Sequence, residues 1–283
     1  MGTAFKLLRQ ITAFWALGVL LGSVVSVYAT GRITSALGRL EKGWFAVSIA
    51  ASALGILSPI CMFGTIPLIA ALGQKRIPQS VLASFMVSSI LLNPNLLMMT
   101  FALGPALAAA RIAFAMAAGV LAGVLVHFFF RNRPLYDFSG FKPAEKHPKK
   151  RLMKDIWKSV RITGPYFIMG VVLTALIDRY LPRAWVTAVF AGNRPLGVLI
   201  AASVGVPVYV CGGGSIPLIL NLLRMGMSPG SAVAFMISGP ATKITNLGAV
   251  KIVLGAKNFA LYLAYMIVCA VLAGWLTDFL LSK

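Results

Sequence analysis

Cys61 and Cys211 lie 150 residues apart and open nearly the same phrase. Cys61-Met-Phe-Gly64-Thr65-Ile66-Pro67-Leu68-Ile69 is matched by Cys211-Gly-Gly-Gly214-Ser215-Ile216-Pro217-Leu218-Ile219. At the same offset Leu72 meets Leu222, Phe85 meets Phe235, Met86 meets Met236 and Ser88 meets Ser238. Ten of 28 aligned positions are identical, where average residue usage gives about two. A thiolate binds soft metals and metalloids and exchanges with sulfur compounds. A free cysteine also serves as a small apolar filler, but strict equivalence between two copies favours the chemical role. In both copies the thiol stands at a Gly/Pro-interrupted break. In transporters, paired interruptions at corresponding places in two halves point to the substrate site.

The residues around the two breaks suit a ligand. Gly212-Gly213-Gly214-Ser215 just before a short helix would present backbone N–H groups at its positive end, which favours an anion or an electron-rich group. Thr65 holds the equivalent place in the first copy. The bland alternative is that these glycines only let helices pack closely. Further on, Asn93-Pro94-Asn95 corresponds to Gly239-Pro240-Ala241-Thr242-Lys243. Asn93, Asn95 and Thr242, with carbonyls freed by proline, can replace hydration around a solute. Lys243 is a cation in an apolar setting, which marks it as a functional candidate, with a headgroup-facing lysine as the alternative. Arg111, Lys251 and Lys257 read as ordinary span-end charges, and Cys269 as a packing or lipid-facing residue.

The elements that must carry these residues are membrane helices. Of 283 residues 59% are hydrophobic and 11% charged, too apolar for a soluble globule of this size. Uncharged runs over 11–29, 112–130 and 258–277 approach the roughly 20 residues that cross the hydrocarbon core. Residues 162–177 form a slightly shorter run between Arg161 and Asp178. The expected fold is an all-α polytopic membrane protein of about eight to ten embedded segments. Residues 1–130 form the first half, 131–155 a basic cytoplasmic linker and 156–283 the second half. Each half runs through a full span, a short basic segment, a 14-residue apolar stretch ending at the cysteine break, and two short apolar runs. The first of these short runs ends at a polar tip, and the second at Asn93-Pro94-Asn95 or at Gly239 to Lys243. A longer closing helix, roughly 105–130 or 258–281, ends the half. Runs too short to span alone read as half-helices or re-entrant hairpins. With hairpins the halves are inverted, which is the expectation here; joined into broken spans they would be parallel.

Several classes are excluded. The net charge of +20 tempts a nucleic-acid reading, but the basic residues lie in short loops and at span ends, where they orient helices and meet anionic lipid. Residues 131–161 carry ten Lys/Arg against Asp137, Glu145 and Asp155, which places this stretch on the cytoplasmic side. Asp178 and Asp278 fall near span ends, so a proton or sodium relay on a mid-membrane carboxylate is not expected. No Walker motif and no His/Cys zinc spacing is present. No cofactor is expected.

At the breaks the sequence resembles the predicted-permease family that includes the ArsP organoarsenical efflux permeases and YraQ-like proteins. The resemblance rests on Cys61-x4-Ile-Pro-Leu-Ile, Phe85-Met86…Asn93-Pro94, and Cys211-Gly-Gly-Gly-Ser-Ile-Pro followed by Gly239-Pro240-Ala-Thr. It implies a multi-pass permease of a bacterial or archaeal inner membrane, with export of trivalent organoarsenicals or soft metal ions among known activities. Many relatives carry paired cysteines at the first break; here Met62 and Phe63 follow Cys61. The expected function is secondary transport of a small thiophilic solute, with Cys61 and Cys211 as soft-ion ligands. The partners are that solute and membrane lipid, with no nucleic acid, and a homo-oligomer is compatible. A sulfur-containing or oxyanionic solute is the alternative. A membrane thiol-redox or sulfur-transfer enzyme is a rival that the absence of CxxC disfavours.

Overall fold

Apolar stretches punctuated by Gly, Pro and Asn fold into helices whose ends fall at those punctuation marks. The computed structural model describes residues 44–58, 65, 69, 72–73, 77–131, 133–136, 157, 161, 183–190, 194–208, 212–242 and 244–281. Among them the regular elements are α1 (Trp44–Leu57), α2 (Gln79–Leu91), α3 (Pro94–Phe101), α4 (Pro105–Phe129), α5 (Arg183–Phe190), α6 (Arg194–Val208), α7 (Gly212–Arg224), α8 (Pro229–Thr242) and α9 (Ile244–Leu281). The protein is all-helical over this range, as its composition requires.

Local chemistry sets the boundaries. Asn93 caps α3, its Oδ1 accepting from the Leu96 N–H at 2.9 Å, and Pro94 occupies the first turn, where a missing N–H costs nothing. Gly104 at φ 115° precedes Pro105 and turns the chain into α4. Gly255 at φ 70° breaks α9 into two parts. Both are left-handed conformations that glycine adopts readily.

Three stretches are long and apolar enough to cross a bilayer: Gln79–Phe101, Pro105–Phe129 and Val253–Leu281. The closing helices thus fall where the sequence places them. The apolar runs over 11–29 and 162–177 lie outside the described residues. Of the short runs, the one in the first half ends at Leu91, beside the expected Asn93-Pro94-Asn95 mark, and a further short helix, α3, follows it within a stretch of spanning length. The one in the second half ends at Thr242, within the expected mark from Gly239 to Lys243.

The core is built from α2 and α8. Every residue of α8 from Gly230 to Thr242 is buried, as is all of α2 from Ser80 onward; a helix apolar all round belongs inside. α1 packs against α2 and α4, while α6 packs against α8 and α9. The two groups meet where α8 touches α2 and α4. Large apolar side chains on the outer faces of α4 and α9, including Leu121, Phe128, Leu261, Val268 and Leu272, are exposed, as lipid-facing residues are.

Equivalent contacts recur along the chain. Helices begin at 44 and 194, at 79 and 229, and at 94 and 244, each pair 150 apart. Gly55 lies so close to α2 that a Cβ there would approach the Phe85 carbonyl to 2.7 Å and collide with Ser88 Oγ. Gly205 lies against Phe235 and Ser238 of α8 in the same way. Gly123 backs onto Ser48, Ser80 and Ser84, and Gly274 backs onto Val198, Gly230 and Ala234.

Residues beyond α4 join this packing. The Leu135 N–H donates to Gln79 Oε1 at 2.6 Å, and Asn258 Nδ2 donates to the Leu135 carbonyl at 3.0 Å. Burial pushes the nearby Tyr136 phenol well above its ordinary pKa. The start of the basic segment is therefore fixed between α2 and α9.

Candidate functional site

The triglycine that follows Cys211 forms the first turn of α7 rather than a loop before it. α6 runs to Val208, and α7 begins at Gly212. The first N–H groups of a helix have no partner within it, so Gly212, Gly213 and Gly214 still present donors at a positive dipole end. Pro217, inside α7, removes one further N–H, leaving the Gly213 carbonyl without its helical donor. Ser215 is 2% exposed, and its Oγ has no hydrogen-bond partner.

α7 packs against α3 and against α8. The glycine turn therefore belongs to a helix that borders α3, the Asn-Pro-Asn helix. On α3, Asn93 is spent on capping, while the buried Oδ1 of Asn95 has no partner. Asn221 Nδ2, further along α7, is likewise buried and unpartnered, as is Ser58 Oγ at the end of α1. A buried polar atom without a partner costs about 1–3 kcal/mol, so several close to two helix breaks are a reserve of hydrogen-bonding capacity for a ligand or water.

The other predicted residues have local roles. Thr65 Oγ1 pairs with Ser89 Oγ at 3.4 Å, both buried. Thr242 is buried and its hydroxyl donates to the Ser238 carbonyl at 2.7 Å. Cys61, Cys211 and Lys243 lie outside the described residues. Lys251 and Lys257 are exposed. Cys269 is half-buried and packs against the core. Among the described residues no three His, Cys, Asp or Glu gather as a metal site.

Arg111 corrects the sequence reading. It is 1% exposed and not a span-end charge. Nη1 donates to Thr100 Oγ1 at 2.8 Å, and Nη2 donates to the carbonyls of Leu91 at 3.3 Å and Met236 at 3.1 Å. The signal was available in part: Arg111 lies seven residues into an apolar helix that starts at Pro105, too deep for an end charge. Asp278 is a second buried ionisable side chain. It accepts from Ser228 Oγ at 2.9 Å and from the Gly230 N–H at 2.7 Å, tying the end of α9 to the start of α8.

Apolar spans, a buried two-part core and unpartnered polar groups beside helix breaks define a helical membrane protein with an interior polar region. A family model described as predicted permease, ArsP_1, matches residues 3–279, and the chain belongs to that family. Among curated relatives, UPF0718 protein YcgR of Bacillus subtilis is 24% identical over 95% of this chain and 93% of its own. A Streptococcus mutans protein, provisionally named a two-component membrane permease complex subunit, is 25% identical over 87% of this chain and 84% of its own. UPF0718 protein MJ0584 of Methanocaldococcus jannaschii is 24% identical over 47% of this chain but only 36% of its own length. No solved structure matches.

Proposed function

We propose that the chain is a multi-pass permease of a bacterial or archaeal inner membrane that exports a small thiophilic solute, such as a trivalent arsenical or a soft metal ion. The solute would sit between two repeat-related halves. Cys61 and Cys211 would ligate it, and Gly212 to Ser215, Thr65, Asn93, Asn95, Thr242 and Lys243 would shape the pocket. The observation that carries the reading is the packing of α7 on α3, which sets unpartnered Ser215 and Asn95 on neighbouring helices of opposite halves. Membership of the predicted-permease family supports transport over enzymology.

The repeat draws support from helix starts 150 apart and from the matched environments of Gly55 and Gly205. Inversion draws support from direction. Asn258 bonds to Leu135, beyond the end of α4, whereas Tyr265 donates to the Ala118 carbonyl in its middle. Advancing along α9 thus retraces α4 backwards, as a two-fold axis in the membrane plane requires of equivalent helices.

The triglycine turn favours a second reading, a sulfur-containing or oxyanionic solute held by N–H groups and Lys243. Flux of arsenite, soft metal ions and thiosulfate into proteoliposomes separates the two. Loss with both Cys61→Ser and Cys211→Ser supports thiol ligation, and loss confined to Lys243→Ala supports the anion. Unchanged flux in all three variants refutes the site, and cysteine-dependent redox turnover without flux would establish the enzyme instead.

A further inference from the structure

Proline in a helix interior leaves the carbonyl four residues back without its N–H donor. Pro240 does this to Met236 in α8. The carbonyl of Leu91, in the last turn of α2, is likewise an end group without a helical partner, since Pro94 follows and helix ends leave their final carbonyls open. One side chain serves both. Arg111 Nη2 donates to Met236 and to Leu91, while Nη1 is held by Thr100, whose hydroxyl in turn donates to the Leu96 carbonyl at 2.7 Å. The rigid fork of a guanidinium can meet acceptors in several directions at once, which a lysine ammonium on a flexible stem does poorly. Its positive charge also suits the negative end of α2.

We infer that Arg111 is a positioning residue that ties the two halves together, a strut from α4 of the first half to the carbonyl that Pro240 opens in α8 of the second. Tyr262 marks the asymmetry. Its hydroxyl donates to the Ala241 carbonyl at 3.1 Å, closing the end of α8 within one half, whereas Arg111 closes α2 and crosses over. Three bonds from one charged group, to α2, α3 and α8 at once, let the strut set how far the halves separate. Its effect on transport rests on the permease reading; the tie itself does not.

The test compares wild type with Arg111→Met, Arg111→Lys, Pro240→Ala and the doubles with Pro240→Ala. Spin-labelled unnatural amino acids at the exposed positions Leu121 and Leu261 leave the cysteines in place. The inter-label distance distribution should broaden in Arg111→Met and, less, in Arg111→Lys. Pro240→Ala alone should also broaden it, because the N–H of residue 240 then competes with Arg111 for the Met236 carbonyl, and its double with Arg111→Met should broaden it no further than Arg111→Met. Arsenite turnover should fall about tenfold in Arg111→Met with KM unchanged, and stay low in the double. If Arg111→Met does not fold, the lysine pair carries the same comparison. Unchanged distances in both arginine variants, or a wild-type distribution restored by Pro240→Ala in the double, would overturn the strut. Absence of arsenite flux in wild type would count against the thiophilic-solute reading alone, because the distances judge the strut separately.

Discussion

Tyr262 donates its hydroxyl to the carbonyl of Ala241 at 3.1 Å, and Ala241 stands 150 residues after Leu91, whose carbonyl Arg111 reaches. A neutral phenol and a cation thus finish two helices of matching position. Tyr262→Phe removes one neutral donor and should lower stability by about 1–3 kcal/mol. Arg111→Met, which strips three acceptors, should cost more. Thermal unfolding of the purified protein in detergent ranks the two; an equal or reversed order would contradict this account.

Gly55→Ala and Gly205→Ala probe the close helix approaches. The added methyl at Gly55 would lie 2.7 Å from the Phe85 carbonyl, whereas at Gly205 the Phe235 carbonyl is 3.4 Å away. Backbone cannot yield as a flexible side chain can, so Gly55→Ala should destabilise by about 1–3 kcal/mol and Gly205→Ala by less. Melting temperatures measured side by side decide it.

Ser215→Ala separates ligand binding from folding. The hydroxyl is buried without a partner, so its removal should leave the solute-free protein as stable or more stable by about 1 kcal/mol. Flux should nonetheless fall. A drop in stability with flux unchanged would make Ser215 a packing residue and nothing more.

Asp278 joins the end of α9 to the start of α8 through Ser228 and Gly230. Asp278→Ala strands both donors and should cost about 2 kcal/mol. Asp278→Asn keeps one acceptor oxygen and should recover much of that. Comparable unfolding temperatures for alanine and wild type would show the carboxylate to be dispensable for packing.

Much of this arrangement can be read along the chain. Long uncharged runs announce α4 and α9, and Asn93-Pro94 announces a cap and a first turn because both act within a few residues of themselves. Pro240 sits inside α8, and the carbonyl it leaves open finds a donor in Arg111, 129 positions upstream. Arg111 misleads because its acceptors lie in α2, α3 and α8, and no linear window contains them. Gly255 hides inside an apolar run with no proline beside it. The repeated cysteine phrase shows the break but not that its glycines enter the helical turn.

The bonds from Leu135 to Gln79 and to Asn258 give the sequence after α4 a job of its own. It is a clasp, made before the long basic stretch has properly begun. Two polypeptides divided downstream of Tyr136 should therefore reassemble in register when co-expressed, while division upstream of Arg133 would discard the fastening along with the tether.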